Sequence, residues 1–132
     1  MRTALLVFSI AVAGFPAAAE RDLVPSLDSA SDVCINRPAE PEWMQNITVR
    51  EAYKRVLVQD IYRAQNLEHI VETGSCTCDT RFPTWEAAET EFRERFATAE
   101  RWEMLEASDA YNRRANALRP EAMAICKAAG NW

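Results

Sequence analysis

The residues best able to do chemistry in this chain are its four cysteines, Cys34, Cys76, Cys78 and Cys126. In a reducing compartment such thiols ligate metals or act as nucleophiles, whereas in an oxidising one an even count closes into disulfides. Two covalent schemes are open. In the first, Cys76 and Cys78 take different partners, one holding Cys34 and the other Cys126, and the role is structural. In the second, Cys34 pairs with Cys126 while Cys76 and Cys78 close on each other across Thr77. A bond spanning one residue is strained and easily reduced, so Cys76-Thr77-Cys78 would then be a thiol–disulfide exchange site. Its surroundings give that scheme little help. A reactive thiol wants a helix N-terminus, a histidine or a cation beside it, and Arg81 is the only cation close in sequence.

His69 is the sole histidine, with Glu68 beside it and Glu72 one helical turn on. Together with Cys76 and Cys78 it makes a conceivable metal set. Oxidation claims the thiols first, however, and a lone histidine near a helix C-terminus is already favoured by the helix dipole. Glu86, Glu89, Glu91, Glu94, Glu100, Glu103 and Glu106 invite a search for paired hydrolytic carboxylates. Catalytic carboxylates need raised or split pKa values, and nothing in the sequence marks one of these as desolvated, so they read as a solvated helix face. The sequence therefore assigns no catalytic residue, no metal and no cofactor.

Residues suited to binding are easier to find. Arg113, Arg114, Arg119 and Lys127 make a locally basic stretch after an acidic one, a polarity that steers docking towards a partner or anionic lipid. Trp43 and Trp132 fall outside the regular apolar stripes, either exposed as interface anchors or folded back on the helices. Trp43, Arg113, Arg114, Arg119 and Trp132 are the candidate binding residues. Asn46-Ile47-Thr48 fits a glycosylation sequon, but Thr48 is wanted as a helix cap and the match is read as chance.

The elements that position these residues begin after an export signal. One arginine, Arg2, precedes an apolar run from Ala4 to Ala13, which Gly14 and Pro16 break before the small residues Ala17-Ala18-Ala19. That order fits a cleaved signal peptide over residues 1–19, and the run is too short and too broken for a membrane anchor. Its short, bacterial character points to the periplasm, with the external medium as the alternative. Cleavage would leave 113 residues, one domain, with no integral membrane span and a net charge of −6, against −5 for the whole chain. Such a charge disfavours general nucleic-acid binding.

Residues 20–47, with Pro25, Pro38 and Pro41, show no helical period and read as an extended arm that Cys34 would tie down. A helical domain over 48–132 follows. Thr48-Val49-Arg50-Glu51 fits a capping box, and Val49, Tyr53, Val56, Leu57, Ala64, Leu67 and Val71 give an apolar face that ends at Gly74. A second helix is expected from Thr84 as cap, with Trp85, Ala88, Phe92, Phe96, Ala99 and Trp102 as its stripe. Glu89 with Arg93 and Glu91 with Arg95 are i,i+4 ion pairs in the favourable order. Unbroken to Leu118, that helix would carry Cys126 to the pole opposite Cys76, so an interruption is expected, best placed at 106–109 where Ser108 or Asp109 can cap. Pro120 then suits the first turn of a final helix over 121–129, closed by Gly130.

The fold expected is all-α: an antiparallel helical hairpin, two shorter C-terminal helices, an extended N-terminal arm and two disulfides. The function that fits is a non-enzymatic, exported binding or accessory protein with a protein partner in the cell envelope, such as a secretion or conjugation apparatus. The alternatives are a thiol–disulfide exchange protein using Cys76 and Cys78, or a periplasmic chaperone or inhibitor.

Overall fold

The computed structural model describes residues 33–132; the expected signal peptide over 1–19 and the first part of the expected arm lie outside the described residues. Among those described there is no strand. The elements run α1 (Glu42–Gln45), a 3-10 turn (Val49–Glu51), α2 (Ala52–Thr73), α3 (Cys78–Arg81), α4 (Glu86–Phe96) and α5 (Arg101–Ala128). No helix among the described residues is long and apolar enough to cross a membrane.

α2 is the central element because its apolar residues fall on more than one face. Leu57, Val58, Ile61, Ala64, Leu67 and Ile70 are all buried. α5 covers one side with small residues, Ser108, Ala115, Ala122 and Cys126, which let its backbone come close, and adds Met104 and Tyr111. α4 covers another side with Ala88, Phe92 and Phe96. α4 runs antiparallel to α2, the expected hairpin, and α5 returns parallel to α2. At about 1.5 Å per residue, α5 is roughly 42 Å long and α4 only about 16 Å. The arm and α3 cover what α4 leaves open.

The helix stops follow the sequence better than the helix starts. Gly74 takes the left-handed conformation at φ 63°, and its N–H reaches the Ile70 carbonyl at 2.9 Å. Gly130 closes α5 likewise at φ 74°. Thr48, by contrast, makes no capping hydrogen bond: a 3-10 turn precedes α2, and the Glu51 carboxylate turns to Lys54 at 2.6 Å. Val49, in that turn, is 95% exposed, and Val56 is exposed too. Thr84 is not the cap of α4 either; Trp85 holds that position without a side-chain bond, and Glu86 and Glu89 supply negative charge to the helix's first turn.

The interruption falls about ten residues earlier than expected. α4 ends at Phe96 and α5 begins at Arg101, where Glu100 and Glu103 form a reciprocal capping box, with Glu103 accepting from the Glu100 N–H at 2.7 Å. Ser108 is interior to α5, and its hydroxyl donates across the interface to buried Asp60 instead of capping. Pro120 also lies inside α5. The hydrogen bond it withholds is the one to the carbonyl of Asn116, and both residues are exposed, so water can serve that carbonyl. The two shorter C-terminal helices expected after the break are one continuous helix of 28 residues, and the hairpin's second arm, α4, is only 11 residues long.

The arm carries a short helix, α1, which was not expected. It is held by side chains: Trp85 Nε1 donates to the Pro38 carbonyl at 3.2 Å, and Glu40 accepts from Arg55 and Gln59 at 2.9 and 2.5 Å. Trp43 stacks on Phe92 with centroids 5.8 Å apart and donates to Glu89 at 2.8 Å. Trp43 is therefore folded back on the helices, and Met44 beside it is fully buried.

Candidate binding cleft

The cysteines gather three parts of the chain at one pole. Cys34 bonds Cys78 and Cys76 bonds Cys126, with Cα separations of 5.4 and 5.0 Å. This is the structural scheme, in which the two sulfurs flanking Thr77 hold different partners. The Cys76–Cys78 bond on which an exchange site depended is not formed. Thr77 instead caps α3, accepting from the Thr80 N–H at 3.1 Å while its own N–H donates to the Thr80 hydroxyl at 2.7 Å. With both sulfurs spent, Cys76 and Cys78 cannot join His69 as ligands; His69 is exposed, and no metal-holding group of three His, Cys, Asp or Glu occurs among the described residues.

Beside this pole a row of cations and rings alternates. The Arg37 guanidinium lies 4.0 Å from the Phe82 centroid, and Arg81 lies 4.9 Å from Phe82 and 4.5 Å from Trp132. Arg119 follows at 5.6 Å from Trp132. Guanidinium over an aromatic face is attractive, but three like charges so close repel one another. Burial, and secondly the charge of Arg37, push the Arg81 pKa below its ordinary value. Arg81 also donates to the Asn131 carbonyl, and Asn131 in turn donates to the Cys76 carbonyl at 2.7 Å, which fixes the C-terminal segment against the disulfide.

The row borders a cleft of about 350 Å³ between α2, α3 and α5. Its apolar wall includes Leu67, Phe82, Ala115 and Trp132, and its cations are Arg63, Arg81 and Arg119; no lining residue is acidic. One edge of the Arg63 guanidinium, Nε and Nη2, is enclosed without a hydrogen-bond partner, its nearest acid being Asp60 at 3.7 Å. Tyr62 closes one side, stacked on Trp85 at 3.9 Å and donating to the Pro83 carbonyl at 2.7 Å. The chain matches no protein-family model, no curated protein and no solved structure at a significant level.

Of the five candidate binding residues, Arg119 and Trp132 meet at this cleft. Arg114 is drawn into an ion pair with Glu68 of α2, Arg113 is exposed, and Trp43 is held against Phe92. Sequence reasoning missed the parts played by Arg37, Phe82 and Tyr62, which only the chain path brings together.

Glu91 departs from the solvated face assigned to it. Burial works against its charge, but hydrogen bonds from Tyr111, Arg95 and Gln65 outweigh that and hold its pKa below the ordinary value. A depressed carboxyl is the opposite of a general acid. Its partner Tyr111 is pushed up to about 12 by burial and by Glu91. Glu91, Gln65 and Tyr111 thus tie α4, α2 and α5 together as a structural network.

Large apolar side chains are exposed near the other pole. Arg101 lies over the Tyr53 ring at 5.2 Å, so the first turns of α2 and α5 are neighbours. Around these turns Val49, Val56, Leu105 and Trp102 are exposed, Trp102 to 64%.

Proposed function

We propose that this chain is a non-enzymatic binding protein that works outside the cytoplasm, in the periplasm or the external medium, and docks on a protein partner of the cell envelope. A secretion or conjugation apparatus is the kind of machine that would use it. Two disulfides and the lack of a long apolar helix among the described residues fit an oxidising, extracytoplasmic setting. The observation that carries the reading is the exposure of Trp102 and Leu105 at the start of α5, and of Val49 and Val56 in the 3-10 turn and early α2. Arg101 over the Tyr53 ring makes the two helix starts neighbours. Tryptophan is the most typical interface anchor, and clustered exposed apolar side chains mark interaction surfaces. Of the sequence candidates, Arg113 is exposed and open to a partner and Arg119 and Trp132 line the cleft at the stapled pole, whereas Trp43 and Arg114 serve the fold. A chaperone or inhibitor would be a narrower case of the same reading, with an unfolded client or one enzyme as partner.

A photo-crosslinking residue at position 102, compared with one at exposed Glu121, tests this in cells that export the protein. Position 102 should give one discrete adduct and position 121 none. No adduct from 102, or the same adducts from both, argues against the reading.

A further inference from the structure

The cleft between α2, α3 and α5 has a composition that the proposed docking surface does not explain. The whole chain carries 20 acidic against 15 basic residues, yet this one concavity has three arginines and no acid in its lining. Arg37 stands just beyond, its guanidinium 4.0 Å from the Phe82 centroid. Converging like charges raise the local positive potential and favour an anion there. A surface needing only solubility would intersperse the signs.

The rest of the lining defines the ligand further. Leu67, Phe82, Ala115 and Trp132 present apolar surface, so a bare inorganic anion would leave most of the cleft unfilled. A volume of about 350 Å³ lies at the small end of ligand sites, the size of a one- or two-ring molecule. The guanidiniums come from separate elements: Arg63 from α2, Arg81 from α3 and Arg119 from α5. Arg81 is fixed by the Asn131 carbonyl, and the Cys76–Cys126 bridge holds the end of α5. Preformed donors on rigid elements spend little ordering entropy when a ligand enters.

We propose that this cleft is a binding site for a small organic anion, a carboxylate or sulfonate on a flat apolar body, whose charged group is received by Arg119 and Arg81 at the rim while its body lies against Leu67, Phe82 and Ala115. Arg63 faces them from α2, its charge offset by the Asp60 carboxylate at 3.7 Å. The site is separate from the Trp102 surface, at the stapled end of the helices.

Calorimetric titration of the oxidised full chain tests it, with naphthoate as the probe and naphthalenemethanol as its uncharged counterpart. Naphthoate should bind one per chain, at least about tenfold more tightly than the alcohol, since a charge-assisted hydrogen bond is lost with the carboxylate. Arg119→Gln should weaken naphthoate by about tenfold, and Trp102→Ser should leave it unchanged. Equal affinity for acid and alcohol overturns the proposal, and that comparison uses the unaltered protein. So do the absence of naphthoate binding, an Arg119→Gln protein with the parent's affinity, and a loss of binding on Trp102→Ser. The crosslinking result at position 102 is independent of all of these.

Discussion

Removing the Cys76–Cys126 bridge, by Cys76→Ala with Cys126→Ala, should cost this protein a large part of its stability. The bridge spans 50 residues of sequence, and the loop entropy it removes from the unfolded chain corresponds to about 4 kcal/mol. Both cysteines are buried, so the lost sulfurs also leave a small void worth up to ~1 kcal/mol. A domain of this size has roughly 5–15 kcal/mol in total. The Cys34–Cys78 bridge spans 44 residues and has nearly the same loop entropy, about 4 kcal/mol. Its removal should nevertheless cost less. Residues 33–37 of the arm can then fray in the native state, recovering freedom, while Trp85, Arg55 and Gln59 still hold the arm from Pro38 and Glu40. Urea unfolding followed by tryptophan fluorescence measures both. A loss under ~1 kcal/mol for the Cys76/Cys126 pair, or a larger loss for the Cys34/Cys78 pair than for it, would refute this reasoning.

Three further outcomes are expected. Tyr111 is held at about 12 against an ordinary 10, so the fold favours its neutral form; that contribution is full below pH 10, is lost as pH rises towards 12, and after allowance for solvent screening is on the order of 1–2 kcal/mol. Tyr111 should therefore ionise last in an alkaline spectrophotometric titration, after Tyr62, which burial also raises, and Tyr111→Phe should remove that last step. Ser108→Ala leaves the Asp60 carboxylate buried without its α5 donor and should destabilise by about 1–3 kcal/mol in chemical denaturation, whereas the same change at a merely capping serine of an independent helix would leave α2 untouched. Gly74→Ala meets no neighbouring atom within 4 Å, so its cost is the backbone strain of φ 63° alone, about 1–2 kcal/mol by thermal unfolding.

Much of this fold was legible because its apolar periodicity is strong. Leu57, Ala64, Leu67, Ala88, Phe92 and Phe96 are buried as their spacing requires. The need to bring Cys126 back to Cys76 also demanded a break somewhere after α4. Its place was misread because serine and aspartate have the same local preference for caps whether they cap or not. Ser108 satisfies its hydroxyl on Asp60, a residue 48 positions away that no local rule reveals. The actual break uses Glu100 and Glu103, good helix formers whose capping role appears only when the chain turns. Thr48 shows the converse, a fitting capping sequence that the 3-10 turn leaves unused.

The cleft was half visible. Arg119 and Trp132 stood out as a charge and an aromatic without a place in the stripes. Arg37, Arg81 and Phe82 joined them through the disulfides, since Cys34–Cys78 brings the arm beside α3 and Cys76–Cys126 brings the end of α5 to the same pole. Connectivity of this kind is a tertiary fact, and four cysteines alone do not determine it. Val56 and Trp102 misled in the opposite direction, since residues at the right spacing stay exposed where no third helix reaches them.

Peptide mapping of unreduced protein, taken from the compartment where it resides, bears most directly on the stapled bundle. The expected digest links Cys34 to Cys78 and Cys76 to Cys126, with no thiol free to react. A Cys76–Cys78 link, or four reactive thiols, would contradict both the architecture and the binding surfaces drawn from it.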